Sequence, residues 1–306
     1  MHYNTPEEFN YFKEIWEHKK LGNRRHTTQL WDERAKDWAR ELGGEGGFSR
    51  NLRERVEAAA DYLRRRGLLG TGSSVIDIGC GLGQFAAEFA RSAGEVVGLD
   101  ISQLMLEQAE IHAKASALKN ISFLKADFQN LDVKARGWLD HFDLAFTSIT
   151  PAVSTVASLE KMISVSKGYC FSCHFVQWQD ELEARISNEV FQRDYAPNLS
   201  GHGRFFYALF NLLWLRGYLP ETHYHQQKRE GRARADLDLA RYYARILGDN
   251  IVVDEEDTQR IYRYLENNAA ADGLIQQNTE RWYGWILWDT QRRRDQAPRP
   301  ATIRRL

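Results

Sequence analysis

Cysteine is scarce in this chain. Its 306 residues include only Cys80, Cys170 and Cys173, too few and too unevenly placed for a disulfide framework. No sign of charge prevails either, with 41 Lys and Arg against 42 Asp and Glu, so there is no global electrostatic demand for a nucleic-acid partner. No apolar run reaches the roughly 18 residues of a membrane span. The opening stretch MHYNTPEEFNYFKEIWEHKK has no apolar core of the kind a secretory signal needs. Internal repeats and long low-complexity stretches are missing as well. These absences lead us to expect a cytoplasmic protein in a reducing setting, with length enough for one large domain or two modest ones.

What is present is alternation. Residues 5–20, 27–42 and 49–66 have helical spacing, with Leu30, Trp31, Ala35 and Trp38 sharing one face of the second. GGEGG (43–47) breaks the second from the third, and Gly67 ends the third. Strand patterns follow at SVIDIG (74–79), EVVGLD (95–100), NISFLKAD (120–127), FDLAFTS (142–148) and GYCFSCHF (168–175). Helices are predicted between them at 84–93, from Ser102 as cap to about 117, and near 153–165. Short continuous apolar strands alternating with helices predict an α/β fold with a parallel sheet. After residue 176 helical patterns dominate, with YLPETHYHQQ (218–227) and RWYGWILWD (281–289) as later strands. Eight of the nine tryptophans lie outside residues 72–175. They serve either to pack small appended helices or to line a pocket. The tail QRRRDQAPRPATIRRL reads as disordered.

The first strand runs directly into glycines. A strand end followed by a glycine-rich turn and a helix is a ligand site in open α/β sheets, because glycine lets a ligand approach the backbone and the helix offers free N–H groups. The glycines are Gly79, Gly81 and Gly83, and Gln84 stands where a dinucleotide fingerprint wants its third glycine. Asp77 lies inside the strand end. The second strand ends in Asp100, which can accept hydrogen bonds from both hydroxyls of a ribose. The third ends in Asp127 and Phe128, a carboxylate beside an aromatic that together could hold and cover an adenine.

At this point the chain resembles the class I S-adenosylmethionine-dependent methyltransferases. VIDIGCGLGQF, VVGLDIS, FLKADF and FDLAFTSITPAV stand in the order and spacing of that family's four motifs, over about residues 72–176. The resemblance implies a Rossmann-like seven-stranded sheet, mostly parallel with an antiparallel last strand, plus a helical cap. It implies S-adenosylmethionine as cofactor and no metal. Asp77, Gly79, Cys80, Gly81 and Gly83 would hold the methionine part, with Cys80 also a small packing residue. Asp100 would hold the ribose, Ile101, Asp127 and Phe128 the adenine, and Thr147 would complete the rim. The implied organisation is a helical cover over 1–48, a core over 49–229, a helical cap insertion over 230–278, a last core strand over 279–290 and the tail over 291–306.

The fourth motif, Thr147-Ser148-Ile149-Thr150-Pro151, departs from the N-P-P-Y or D-P-P-Y form of many amino-group methyltransferases. That lowers the expectation of base methylation and leaves Ser148 and Thr150 as polar groups near the transfer point, unless they serve their own loop. His174 is the first candidate for a general base. His26, Trp31, His202 and Tyr207 are further pocket candidates. CFSCH (170–174) matches a haem-attachment pattern, but residues three apart on a strand face opposite sides, which excludes haem and a metal clip alike. The leading expectation is methylation of a small molecule. RNA or protein methylation is the alternative, using KREGRAR (228–234) and Arg292, Arg293, Arg294, Arg299, Arg304 and Arg305. A non-methylating accessory protein and transfer of the cofactor's aminocarboxypropyl group are the others.

Overall fold

The structure is a computed structural model, and it describes residues 5–17, 28–42, 47–195, 203–247 and 254–293. Three helices come first, α1 (Pro6–Glu17), α2 (Thr28–Leu42) and α3 (Gly47–Arg65). The alternating segment follows as β1 (Ser74–Ile78), α4 (Gln84–Ala90), β2 (Glu95–Asp100), α5 (Gln103–Ala115), β3 (Ile121–Lys125), β4 (Phe142–Ser148), α6 (Val156–Ser164) and β5 (Ser166–Asp180). Then come α7 (Glu181–Val190), α8 (Gly203–Leu215), β6 (Glu221–Arg229), β7 (Arg232–Arg234), α9 (Leu237–Leu247), α10 (Glu255–Asn268), β8 (Leu274–Gln276) and β9 (Thr279–Asp289).

Seven strands form one sheet in the order β3-β2-β1-β4-β5-β9-β6. The pairings from β3 to β5 are parallel, and β9 with β6 forms the antiparallel edge. Thr290, just past β9, donates its N–H to Gly168 O near the start of β5 at 2.8 Å, as opposed directions require. The expected Rossmann-like sheet with an antiparallel last strand is therefore present. Strand order reverses outward from β1 and β4, the switch point where open α/β sheets bind ligands.

The described residues divide into two compact units. The first lies within Met1–His174, Arg204–His225 and Gly284–Leu306, and the second within Phe175–Gly203 and Gln226–Tyr283. In the first, β1 is apolar on both sides because helices cover it: Val75, Ile76 and Ile78 are fully buried. Aromatic rings fill the layer above. Phe146 of β4 stacks on Phe171 of β5 at 5.2 Å and meets Phe85 and Phe89 of α4 at 4.9 and 4.8 Å. The second unit has its own core, in which Leu182 and Ile186 of α7 pack with Tyr243 and Leu247 of α9 and with Ile261 and Leu265 of α10. β7 and β8 add a small antiparallel ribbon. Asp180 starts α7 by accepting from the N–H groups of Leu182 and Glu183, and it also accepts from the Tyr243 hydroxyl. Burial, then the neighbouring Asp180 charge, pushes the Glu183 carboxyl up to about 7.

β5 exceeds its predicted length. The apolar run stops near Phe175, yet the strand continues to Asp180. β9 runs alongside it there: Phe175 meets Tyr283 at 4.9 Å, and the Arg281 guanidinium lies 4.6 Å from the Trp178 ring. Among the described residues no helix is long and apolar enough to cross a membrane.

Phe146 is the natural test of the first core, being fully buried among three rings. Phe146→Ala is expected to cost about 3–5 kcal/mol, read as a lower urea midpoint with an unchanged denaturant slope.

Candidate functional site

The turn after β1 is pinned to β2. Gly79 and Cys80 both donate their N–H groups to Leu99 O, at 2.7 and 2.9 Å. Gly79, Gly81 and Gly83 have φ of 74°, 53° and 71°, a left-handed region costly for residues bearing a Cβ. The three differ in what surrounds them. A Cβ on Gly79 would fall 2.2 Å from Thr150 Oγ1, and one on Gly83 would fall 2.7 Å from Ala109 Cβ. A Cβ on Gly81 would meet nothing within 4 Å. Gly79 and Gly83 are thus packing glycines, while Gly81 leaves open space. Cys80 is buried, with its sulfur against Gly98, the small packing role expected of it.

Two carboxyl groups stand beside this turn. Asp100 takes the Gly81 N–H on one oxygen and the Ser102 N–H on the other, each at 2.9 Å. A carboxylate offers about four acceptor positions, so both oxygens retain capacity for hydroxyl donors. Burial raises the Asp100 pKa, and the N–H groups of Ser102, Gly81 and Ile101 oppose the rise. Asp77 is 2% exposed, and its Oδ2 has no hydrogen-bond partner. Burial, reinforced by the Asp100 charge and opposed by the Ala86 N–H, pushes its carboxyl up to about 8. Ser102 caps α5 through the Met105 N–H and donates its hydroxyl to Asp32 of α2 at 2.5 Å. Trp31 packs with that helix, against Leu82 of the turn and Met105.

At the β3 end, Asp127 accepts from Gln129 N at 2.9 Å and from Asn130 Nδ2 at 2.7 Å. Ile101 is half-buried on the neighbouring β2 exit. Phe128 is 1% exposed, with Lys161 Nζ 5.8 Å from its ring centre. Its ring therefore belongs to the interior. Lys161 also donates to the carbonyls of Phe128, Gln129 and Leu131. Gln129 Nε2 donates to Pro151 O and Ser154 Oγ, at 3.1 and 3.0 Å, tying the β3 exit to the β4 exit. Neither Gln129 nor Lys161 carries a motif signal in the sequence.

The β4 exit is strained. Ile149 has φ of 49°, which is unusual for a β-branched residue, and its N–H donates to Cys173 O at 3.0 Å. Thr147 is buried and donates to Ile78 O at 3.3 Å. Ser148 lies opposite Cys173 in register, and Thr150 accepts from Ala152 N. Next to them on β5, His174 Nε2 lies 2.7 Å from Ser172 Oγ, and its ring meets Trp16 of α1 edge-on at 5.7 Å. Glu17, at the end of the same helix, accepts from the N–H of Val156, the first residue of α6, at 3.0 Å. Tyr207 is 52% exposed, with its ring 5.3 Å from Phe12. His26 and His202 lie outside the described residues. Among the described residues no group of three or more His, Cys, Asp or Glu could hold a metal ion.

A glycine turn with open space at its centre, and acids on three successive strands, stand together at the switch point, where open α/β sheets bind ligands. A family model described as a methyltransferase domain matches residues 69–232. That is more than half of the chain, so the chain belongs to this family, within the class I S-adenosylmethionine-dependent methyltransferases. Its cofactor is S-adenosylmethionine. Among curated relatives, the chain is 31% identical over 140 residues to the 23S rRNA (uracil(1939)-C(5))-methyltransferase RlmD of Shewanella piezotolerans, covering 46% of this chain and 29% of that protein. It is 41% identical over 71 residues to the demethylmenaquinone methyltransferase of Lactococcus lactis, covering 22% and 28%. The chain spans less than a third of the length of these relatives. Among solved structures, the magnesium protoporphyrin IX methyltransferase (ChlM) of Synechocystis PCC 6803 with bound SAH aligns at 15% identity over 85% of this chain and 96% of that chain, with a TM-score of 0.48.

The residues present fit the cofactor. Asp77 Oδ2 lacks the donor that an ammonium would supply, Gly81 leaves its side open, and Asp100 keeps acceptor capacity for a ribose. Asp100→Ala and Gly81→Val are each expected to weaken S-adenosylmethionine binding by at least about tenfold, or about 1.4 kcal/mol, measured by calorimetry on folded variants. The raised Asp77 pKa also fixes a pH trend for the free protein. The folded state keeps the proton up to about pH 8, whereas an unfolded Asp loses it near pH 4. Stability attributable to this group therefore falls as pH rises through that window, by up to about 1.4 kcal/mol per unit. Denaturation at a series of pH values is expected to show wild type losing stability relative to Asp77→Asn across about pH 5–8.

Proposed function

We propose that this enzyme transfers the methyl group of S-adenosylmethionine to a small-molecule acceptor at the exit of β4, beside His174 of β5 and Trp16 of α1. The observation carrying this reading is the aromatic cover there. Trp16 is 1% exposed, faces His174 at 5.7 Å and lies 6.4 Å from Phe205, while Glu17 fastens the same helix to α6. A wall of aromatic rings suits a compact acceptor with an apolar body.

In this reading Asp77 and the turn Gly79–Gly83 hold the methionine part, Asp100 the ribose, and Ile101 and Asp127 the adenine, with Phe128 behind them and Thr147 closing the rim. The chemistry that bound S-adenosylmethionine supplies is a methyl group activated on a sulfonium. Positioning therefore provides much of the catalysis. Ser172 and Trp16 orient the His174 imidazole, which takes the proton from an oxygen or nitrogen acceptor. Ser148 and Thr150 flank the acceptor, and Trp31, Tyr207, His26 and His202 contribute to its surroundings. The same reading places the enzyme in the cytoplasm, supported by three cysteines that are all free.

The rRNA enzyme among the relatives acts on uracil C5, a carbon that becomes nucleophilic once a thiolate adds to the ring. Cys80, Cys170 and Cys173 are all buried, and burial raises the pKa of each thiol. That environment disfavours a thiolate and favours an acceptor that is nucleophilic on its own.

The test is incubation with methyl-labelled cofactor and fractionated cell metabolites, in parallel with cellular RNA, followed by product mass. A small product heavier by one methyl group supports the reading. Label found only in RNA overturns it, as does an aminocarboxypropyl mass. With the acceptor in hand, His174→Ala is expected to cut turnover at least about a hundredfold while cofactor affinity stays within about twofold.

A further inference from the structure

We propose that Asp77 selects the amino-acid half of the cofactor by holding a proton in the free protein and releasing it to solvent when the cofactor's α-ammonium group takes its place beside the carboxylate. This rests on the cofactor placement above and goes beyond it by assigning a protonation state and a selectivity.

The position itself argues for a neutral acid. Asp77 stands on a strand where its neighbours Val75, Ile76 and Ile78 have no exposed surface. It is paired in register with Gly98 on one side and Phe146 on the other, so neither register partner offers it a side-chain donor or a counter-charge. The titratable groups facing it are the Asp100 carboxyl and the Cys80 thiol, both acids. From α4 comes a single N–H, that of Ala86. Arg55 of α3 holds its guanidinium 5.6 Å from the Phe85 ring, and its charge acts on Cys173. From the β4 exit, Thr147 gives its hydroxyl proton to Ile78 O. One carboxyl oxygen is thus left without a partner. A buried carboxylate so placed is better off neutral, and the acid keeps its proton up to about pH 8.

An ammonium group arriving at Oδ2 supplies both things the site lacks, a donor and a counter-charge. The Asp77 O–H bond breaks, its electron pair stays on the carboxylate, and the proton passes to buffer. No other bond changes. A ligand with the same nucleoside but no amino acid, such as 5′-methylthioadenosine, engages Asp100 and leaves the Asp77 proton where it is. Asp77 therefore distinguishes the two ligands, and the distinction sharpens as pH rises toward 8.

The test is calorimetry of the full chain with S-adenosylhomocysteine and with 5′-methylthioadenosine, near pH 6.5, in two buffers of different ionisation enthalpy. At that pH the amino-acid ligand already carries its ammonium. S-adenosylhomocysteine is expected to release close to one proton and 5′-methylthioadenosine none. The dissociation constant of the former should tighten about tenfold per pH unit between about pH 6 and 7. In Asp77→Asn the proton release and the pH slope should vanish, with 5′-methylthioadenosine affinity kept within about twofold. S-adenosylhomocysteine binding without proton release in wild type overturns the inference and leaves the cofactor site standing. So does equal release from folded Asp77→Asn. If neither nucleoside binds wild type, the cofactor placement falls and the inference falls with it.

Discussion

Leu99 O accepts two hydrogen bonds from the turn, one from Gly79 N–H and one from Cys80 N–H, and much of the site depends on this fork. It binds the exit of β1 to the exit of β2 where the two chains would otherwise diverge. With the turn held there, Gly81 N–H reaches Asp100, and Asp100 in turn reaches Ser102, the cap of α5. Two strand ends, one turn and one helix start thus form a single hydrogen-bonded unit. Only residues able to adopt left-handed φ can close it, and three glycines do so.

The part of the molecule legible in the sequence is the part stabilised by local pattern. β4 spans the seven residues FDLAFTS that its apolar run marks, and Ser102 caps α5 as its side chain allows. The glycine spacing announced a turn with open space, and the structure adds that the space lies at Gly81 while Gly79 and Gly83 are filled by Thr150 and Ala109. Parallel strands covered on both faces read as continuous hydrophobic runs, which is why β1 and β2 stood out.

What stayed hidden depends on partners distant in sequence. The last five residues of β5, VQWQD, carry no continuous apolar signal, and they become strand alongside β9, about a hundred residues later. α7 packs with α9 and α10 in the second unit, although its end at Val190 precedes their starts at Leu237 and Glu255 by long stretches of chain and nothing in its sequence names those neighbours. Phe128 sits next to the acid of its motif, yet its ring turns inward under Lys161 of α6. The contact of Trp16 with His174 joins two residues separated by most of the first unit's chain. Helical periodicity shows that Trp16 faces something, and only the fold shows what.

The exits of β1 and β4 concentrate local cost. Asp77 is a buried acid with an unpartnered oxygen, and Ile149 is a β-branched residue held at positive φ. Neither would persist unless its surroundings over-determined it. For Asp77 the surroundings are the buried strand beneath it and the pinned turn above. For Ile149 they are Cys173 O on one side and, on the other, the loop that Gln129 holds through Pro151 and Ser154. Phe146, the register partner of Asp77 on β4, is itself packed among Phe85, Phe89 and Phe171. Local preference and global fold agree along most of this sheet and disagree at these two residues, which face the cofactor and the acceptor in the proposed reaction. Disagreement of that kind is expected where structure is held for binding and not for stability.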